Sequence, residues 1–340
     1  MTTASTSGVP ERAITHSNRR EPSGARVVGV ALAATSGLAM AAQARINGQL
    51  GVELHDGLLA AVISFGGGLL VLLLALVVSA GMRTGVRRIA AAVRGGSLRP
   101  WQCLGGVGGA MFVAGQSVTV GVLGVSLFTV GVVAGQTMSG LAVDRAGLGP
   151  AGPQALSRPR VLGGLLTLVA VALSVAGGLD LPGGPDGLWL LVLPLVAGAL
   201  VAVQQAVNGR VGQAAGSPLT AALLNFAVGT AVLVLAWLVS LAVRGGPTGF
   251  PDNPVLYLGG LVGIVFIALA ALVVRWTGVL LLGLAAIAGQ LVGSVLLDAL
   301  LPAPGSHLTA TTLVGTALAL LAVGVAGAGG RRRTGPRLEQ

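Results

Sequence analysis

Of 340 residues, 54% are apolar and 9% charged, with a mean hydropathy of +0.90; soluble domains carry about 25% charged residues, so a water-soluble globular fold is excluded. The net charge of +10 does not point to nucleic acid, because all 20 basic residues are arginines placed between apolar runs and at the two ends. The single cysteine, Cys103, excludes an intrachain disulfide and a thiolate metal cluster.

Residues 1–25 are polar and rich in Pro, Ser, Thr and Arg, the composition of a disordered cytoplasmic tail. Ten apolar runs follow, with predicted spans at 27–46, 58–80, 102–121, 124–143, 161–178, 187–207, 219–243, 255–274, 278–299 and 309–328. Each approaches the roughly 20 residues a helix needs to cross hydrocarbon. The third and fourth nearly merge at the glycine-rich turn near 121–124, and the fifth is short. Ala39-Met40-Ala41 resembles a leader-cleavage site, but a similar segment recurs mid-chain, where no leader acts. Residues 329–340 form a basic cytoplasmic tail.

Arginine placement checks this topology. With the N-terminus inside, 18 of 20 arginines fall on the predicted cytoplasmic side, and only Arg45 and Arg244 fall outside. Both termini are therefore expected in the cytoplasm, with a multi-pass chain in a cytoplasmic (inner) membrane. The lysine-free, Ala/Gly/Val/Leu-rich usage matches a G+C-rich bacterial genome. Arg45 is expected to snorkel outward and pair with Glu53 or Asp56. His16 lies in the tail and His55 and His307 in outer loops, without metal-ligand spacing.

Self-similarity is the most informative feature. Gly37–Gly68 aligns with Gly198–Gly229 at an offset of 161, with 11 of 32 positions identical and no gap. Shared landmarks include Gln43/Gln204, Asn47-Gly48/Asn208-Gly209, Phe65/Phe226 and Gly68/Gly229. A second block aligns at an offset of 154, matching Gly105-Gly106 with Gly259-Gly260, Gly124 with Gly278, Gly135-Gln136 with Gly289-Gln290 and Asp144 with Asp298. Five spans per unit is an odd number, so the second copy is expected upside down. The expected fold is an all-α integral membrane protein of ten transmembrane helices in two inverted five-helix repeats, at 26–178 and 179–328. Inverted repeats typify secondary transporters, whose halves rock about a central site.

The Q-x3-N-G-x2-G segment expected to end the first helix of each half, followed by an A-A-x3-F-x2-G helix, resembles the YdcZ-type family of inner-membrane transporters in the drug/metabolite transporter superfamily. The resemblance covers roughly 27–328 and implies a ten-helix inverted-repeat fold and a carrier role. It implies no particular substrate.

Polar side chains at membrane depth are functional candidates because they are costly there. Gln43 and Asn47, four apart, share a helix face, as do Gln204 and Asn208. They either line a pathway or bridge helices, and the glycine after each Asn points to a helix end. Gln136 and Gln290 lie nearer mid-helix. Asp144 and Asp298 follow eight residues later, about 80° round the helix, as a candidate proton or cation site. Position near the span ends favours simple solvation for both aspartates. Gln116 has no polar match in the other half. Small residues at Gly131, Gly135 and Ser139, and at Gly289 and Gly293, are expected to let helices approach closely. The glycines at 105–109 lack the Lys-Ser/Thr of a phosphate loop.

The function expected is non-ATP transport of a small-molecule substrate by alternating access, with export favoured by superfamily analogy. No catalytic motif, cofactor or metal site is expected, and the partners are the substrate and the lipid bilayer, for a monomer or homodimer. A membrane scaffold, an accessory subunit and a passive channel are the alternatives.

Overall fold

The computed structural model describes residues 23–150, 152–153, 157–176, 190–247, 249–302 and 308–328. Within them the chain is helical: α1 (Ser23–Glu53), α2 (Gly57–Val78), α3 (Ala80–Arg94), α4 (Gly106–Ala146), α5 (Arg158–Ala176), α6 (Val192–Ala215), α7 (Pro218–Arg244), α8 (Gly259–Leu300) and α9 (Ala310–Ala328). Six segments among the described residues are long and apolar enough to cross a membrane. The outer faces of α2 and α7 are apolar and bare. Leu74, Val77, Val78, Leu235, Val239 and Val243 are all more than half exposed, as side chains facing lipid would be.

The Asn-Gly pairs do not end helices. α1 runs past Asn47-Gly48 to Glu53, and α6 past Asn208-Gly209 to Ala215. The turns come later, where side chains satisfy the next helix's free N–H groups. Asp56 caps α2 by accepting from Leu59 N–H at 2.9 Å, and Ser217 caps α7 by accepting from Thr220 N–H at 3.3 Å. These two caps stand 161 residues apart, at matching positions of the repeat. Neither was identical in type, so identity alone concealed them.

A second departure is α3, which fills the predicted loop after the second span. Ser79 both ends α2 and caps α3, accepting from Met82 N–H at 3.3 Å. One face of α3, including Ile89, Ala92 and Val93, packs on Leu98, Val211 and Ala221. The arginines lie on the other.

The predicted third and fourth spans form one element, α4, with a sharp reversal. Gly124 sits at φ 75°, ψ 166°, a conformation closed to residues with a Cβ. Phe112 and Phe128 flank it with ring centroids 5.9 Å apart, whereas 16 residues of straight helix span about 24 Å. The chain therefore doubles back at Gly124. α8 replaces the eighth and ninth predicted spans. α1 meets Gly263 of α8 near Gln43 and Gly289 near Ala34, so the two ends of α8 lie side by side along α1.

Packing pairs the first helix of each half with the far half: α1 packs on α8, and α6 on α4. α5 and α9 pack on each other, around Ala170, Ala319 and Val323. The close approaches are reciprocal. A Cβ on Gly135 would overlap the Leu195 carbonyl, and one on Gly289 would overlap that of Ala34. Likewise Gly198 abuts Val132 and Gln136, while Gly37 abuts Ala286 and Gln290. The residues within each matched pair differ by 154 or 161 positions, the two offsets of the repeat. The small-residue positions Gly135 and Gly289 thus pack helices, as their spacing predicts.

Candidate functional site: polar clusters inside the helical bundle

Phe65 on α2 and Phe226 on α7 are buried and stack, with centroids 4.7 Å apart and rings 26° from parallel. Each ring rests on the other helix's glycine, Phe226 on Gly68 and Phe65 on Gly229. The residue before each phenylalanine, Ser64 or Asn225, belongs to a buried polar cluster.

The second-half cluster is internally satisfied. Asn225 Oδ1 accepts from Gln204 Nε2 at 2.8 Å and from Asn208 Nδ2 at 3.0 Å. One turn of α6 separates the two donors, so one carbonyl on α7 serves both. Gly105, just before α4, and Gly109 within it let these amides approach the backbone, and Phe65 closes the same corner.

The first-half cluster differs. Ser64 stands where the repeat would put an asparagine, and its hydroxyl has no partner. Asn47 Nδ2 instead donates to Gln116 Oε1 at 2.9 Å, with both side chains fully buried. Asn47 Oδ1 and Gln116 Nε2 then remain unpaired, and Asn47 Oδ1 and the Ser64 hydroxyl both lie against Gly259. Three unsatisfied polar atoms in one buried spot are costly, at about 1–3 kcal/mol each. Gln43 lies nearby against Gly263.

Of the sequence-predicted candidates, Gln204 and Asn208 are thus brought together, and Asn47 and Gln43 line the equivalent corner. Gln136 and Gln290 lie elsewhere. Gln136 Nε2 donates to Gln205 Oε1 at 3.2 Å, at the α4–α6 contact. Gln290 is buried at the α1–α8 contact with its Nε2 unpaired. Gln116, expected to lack a matched partner, is central. Asn225 and Ser64 were missed. The available signal was that two polar residues align at an offset of 161 inside apolar helices.

Asp298 is not solvated. It is 6% exposed, and its two carboxylate oxygens accept from Val125 N–H at 3.0 Å and Ser126 N–H at 2.7 Å. These are the first N–H groups after the Gly124 reversal, so Asp298 caps the second limb of α4 from another helix. Asp144 is half-buried near the end of α4. Asp298 is thus committed to the backbone at the Gly124 reversal. Arg45 pairs with neither Glu53 nor Asp56. Its Nη2 donates to Pro302 O at 3.1 Å, while Glu53 takes Gln49 and Asp56 takes Trp237 Nε1 at 2.9 Å.

A family model described as "Putative inner membrane exporter, YdcZ" matches this chain twice, over residues 28–173 and 189–325. The chain belongs to the YdcZ family. It is a membrane protein of a transporter family, and the family's description places it in an inner membrane. No curated protein matches. Among solved structures, a crystal structure of a protein aligns with 89% of this chain and 96% of its own, at 20% identity and a TM-score of 0.48. A likeness that distant carries no argument about function.

Proposed function

We propose that this YdcZ-family chain is a secondary carrier whose two halves, 26–178 and 179–328, are inverted five-helix repeats. They alternate access to a polar pathway between them and export a small molecule. The reciprocal packing of α1 on α8 and α6 on α4 carries this reading. Exchanged contacts at matching offsets mean a two-fold relation, as in a self-complementary dimer interface. An odd number of crossings per half lays that axis in the membrane plane, which is the geometry for rocking between inward and outward openings. The family model matching each half separately agrees with the duplication.

The pathway groups are Gln43, Asn47, Gln116, Gln204, Asn208 and Asn225, flanking the Phe65–Phe226 stack, with Gln136 and Gln290 at the outer helix contacts. All offer neutral hydrogen bonds, which suits an uncharged polar part of a substrate. Asp298, committed to two backbone N–H groups, serves the fold better than a proton or cation site.

Two measurements test the proposal. Accessibility labels at Asp186 and in the C-terminal tail should react from opposite sides of the membrane; reaction from one side removes the inverted topology. Reconstituted protein should accumulate solutes from a broad panel under a proton gradient, and Gln290→Leu should abolish this while the protein stays folded. Retained structure is expected because leucine removes an unpaired buried amide. A parent protein that moves no solute, with Gln290→Leu and Gln136→Leu both tolerated, favours a scaffold. Dissipative flux without accumulation favours a channel.

A further inference from the structure

Between Gly57 and Val143 the chain holds no Asp or Glu, yet Arg83, Arg87, Arg88, Arg94 and Arg99 fall within 17 residues. The first four are exposed on α3. Arg83 turns back onto the carbonyls of Leu76 and Val77 that end α2, and Arg88 lies beside Gly216 at the end of α6. α3 is thus an amphipathic helix whose apolar face is committed to the bundle and whose basic face is bare.

Immediately after α3 the chain turns at Gly96 and enters a short 3-10 helix, Pro100–Gly105. Between this turn and the C-terminal end of α4 lies a pocket of about 290 Å³. Its wall includes Ser97, Arg99, Trp101, Gln102, Gly147 and Arg210. Arg99 is exposed. Arg210 is fixed in place because its Nε and Nη2 donate to Leu148 O at 2.6 Å and Gly147 O at 2.7 Å. The nearest acid along α4, Asp144, stands one turn before Gly147 and does not line the pocket. Trp101 is 42% exposed, and Leu104 and Val107, just beyond it, are 54% and 40% exposed. Two guanidinium groups therefore share a pocket wall with an indole, and bare aliphatic side chains follow within six residues of that indole.

We propose that this pocket binds the phosphodiester headgroup of an anionic phospholipid, with α3 supplying an attractive field around it. Guanidinium forks match phosphate oxygens. Trp marks the level of lipid headgroups, and basic pockets between helices take anionic headgroups. The adjoining apolar surface distinguishes a lipid from free phosphate, since acyl chains would cover Leu104 and Val107. This inference stands apart from the transport reading and is tested without flux.

The test uses delipidated full-length protein in a neutral detergent. Phosphatidylglycerol, phosphatidylcholine with the same acyl chains, and inorganic phosphate are titrated while native mass spectra and melting temperature are recorded. Phosphatidylglycerol should stay bound and raise the melting temperature, whereas the other two should do neither. Arg99→Gln should weaken phosphatidylglycerol binding about fivefold, the effect of one arginine at a headgroup. Arg87→Gln, outside the pocket, should weaken it less than twofold at physiological salt, where screening acts within about 8 Å. Ser97→Asp, which places a negative charge on the wall, should weaken binding even if Arg99→Gln proves hard to purify. Equal retention of phosphatidylcholine, an equal response to inorganic phosphate, or equal losses in the Arg87 and Arg99 variants would overturn the proposal.

Discussion

Replacing Asp298 by asparagine changes one oxygen to an NH2 group and leaves the shape nearly intact. In the native arrangement each carboxylate oxygen holds one backbone N–H, those of Val125 and Ser126. Asparagine can accept only one of them, and its amide then faces the other donor head-on. The lost hydrogen bond to a charged group is worth about 1.5–3 kcal/mol. Removing negative charge from the start of a helical limb costs about 0.3–1 kcal/mol more. The expected destabilisation is therefore about 2–4 kcal/mol, larger than surface substitutions produce. Denaturant titration of purified protein in detergent, followed by tryptophan fluorescence, measures it as a lower midpoint at unchanged slope. Asp298→Ala should cost at least as much, because both N–H groups lose their acceptor. An unfolding free energy for Asp298→Asn within about 0.5 kcal/mol of the parent would refute the capping role and restore the solvated reading.

Gly135→Ala and Gly289→Ala should each destabilise by about 1–3 kcal/mol, since the new methyl meets a backbone carbonyl that moves only with its helix. Matched losses of melting temperature are expected from the reciprocal packing, and a loss in one variant alone would contradict it. Asn225→Leu should cost about 2–4 kcal/mol by leaving the Gln204 and Asn208 amides without an acceptor. At the equivalent register, Ser64→Ala removes a hydroxyl that has no partner, so its thermal stability should be unchanged or slightly raised. Gly124→Ala should impair folding of the α4 reversal most of all, read as loss of monodisperse protein in gel filtration.

Hydropathy located the helices well but not their ends. α3 was overlooked because four arginines made a segment with an apolar face look like a loop. Helix termination at Asn47-Gly48 and Asn208-Gly209 was a reasonable local expectation, since Asn-Gly favours a left-handed end. Burial against α4 and α8 overrode it, holding both helices straight for several more residues. Gln43, Asn47, Gln204 and Asn208 were legible as candidates because polar residues are rare at membrane depth and these four recur. Ser64 and Asn225 were not, because similarity of role does not require identity of side chain.

Composition, hydropathy and two internal offsets determined by themselves that this is a duplicated membrane chain with amides at repeating positions. Those properties are local or periodic, and a linear sequence carries them directly. Which atoms those amides meet was decided only by the tertiary structure. Asn47 finds Gln116 across 69 residues, Trp237 finds Asp56 across 181, and Asp298 finds the N–H groups at 125 and 126 across 173 and 172. Inside hydrocarbon, water cannot satisfy a stray donor or acceptor, so helix packing fixes each polar partner. Helix packing also left the Asn47 cluster with unpaired atoms while its counterpart at Asn225 closed on itself.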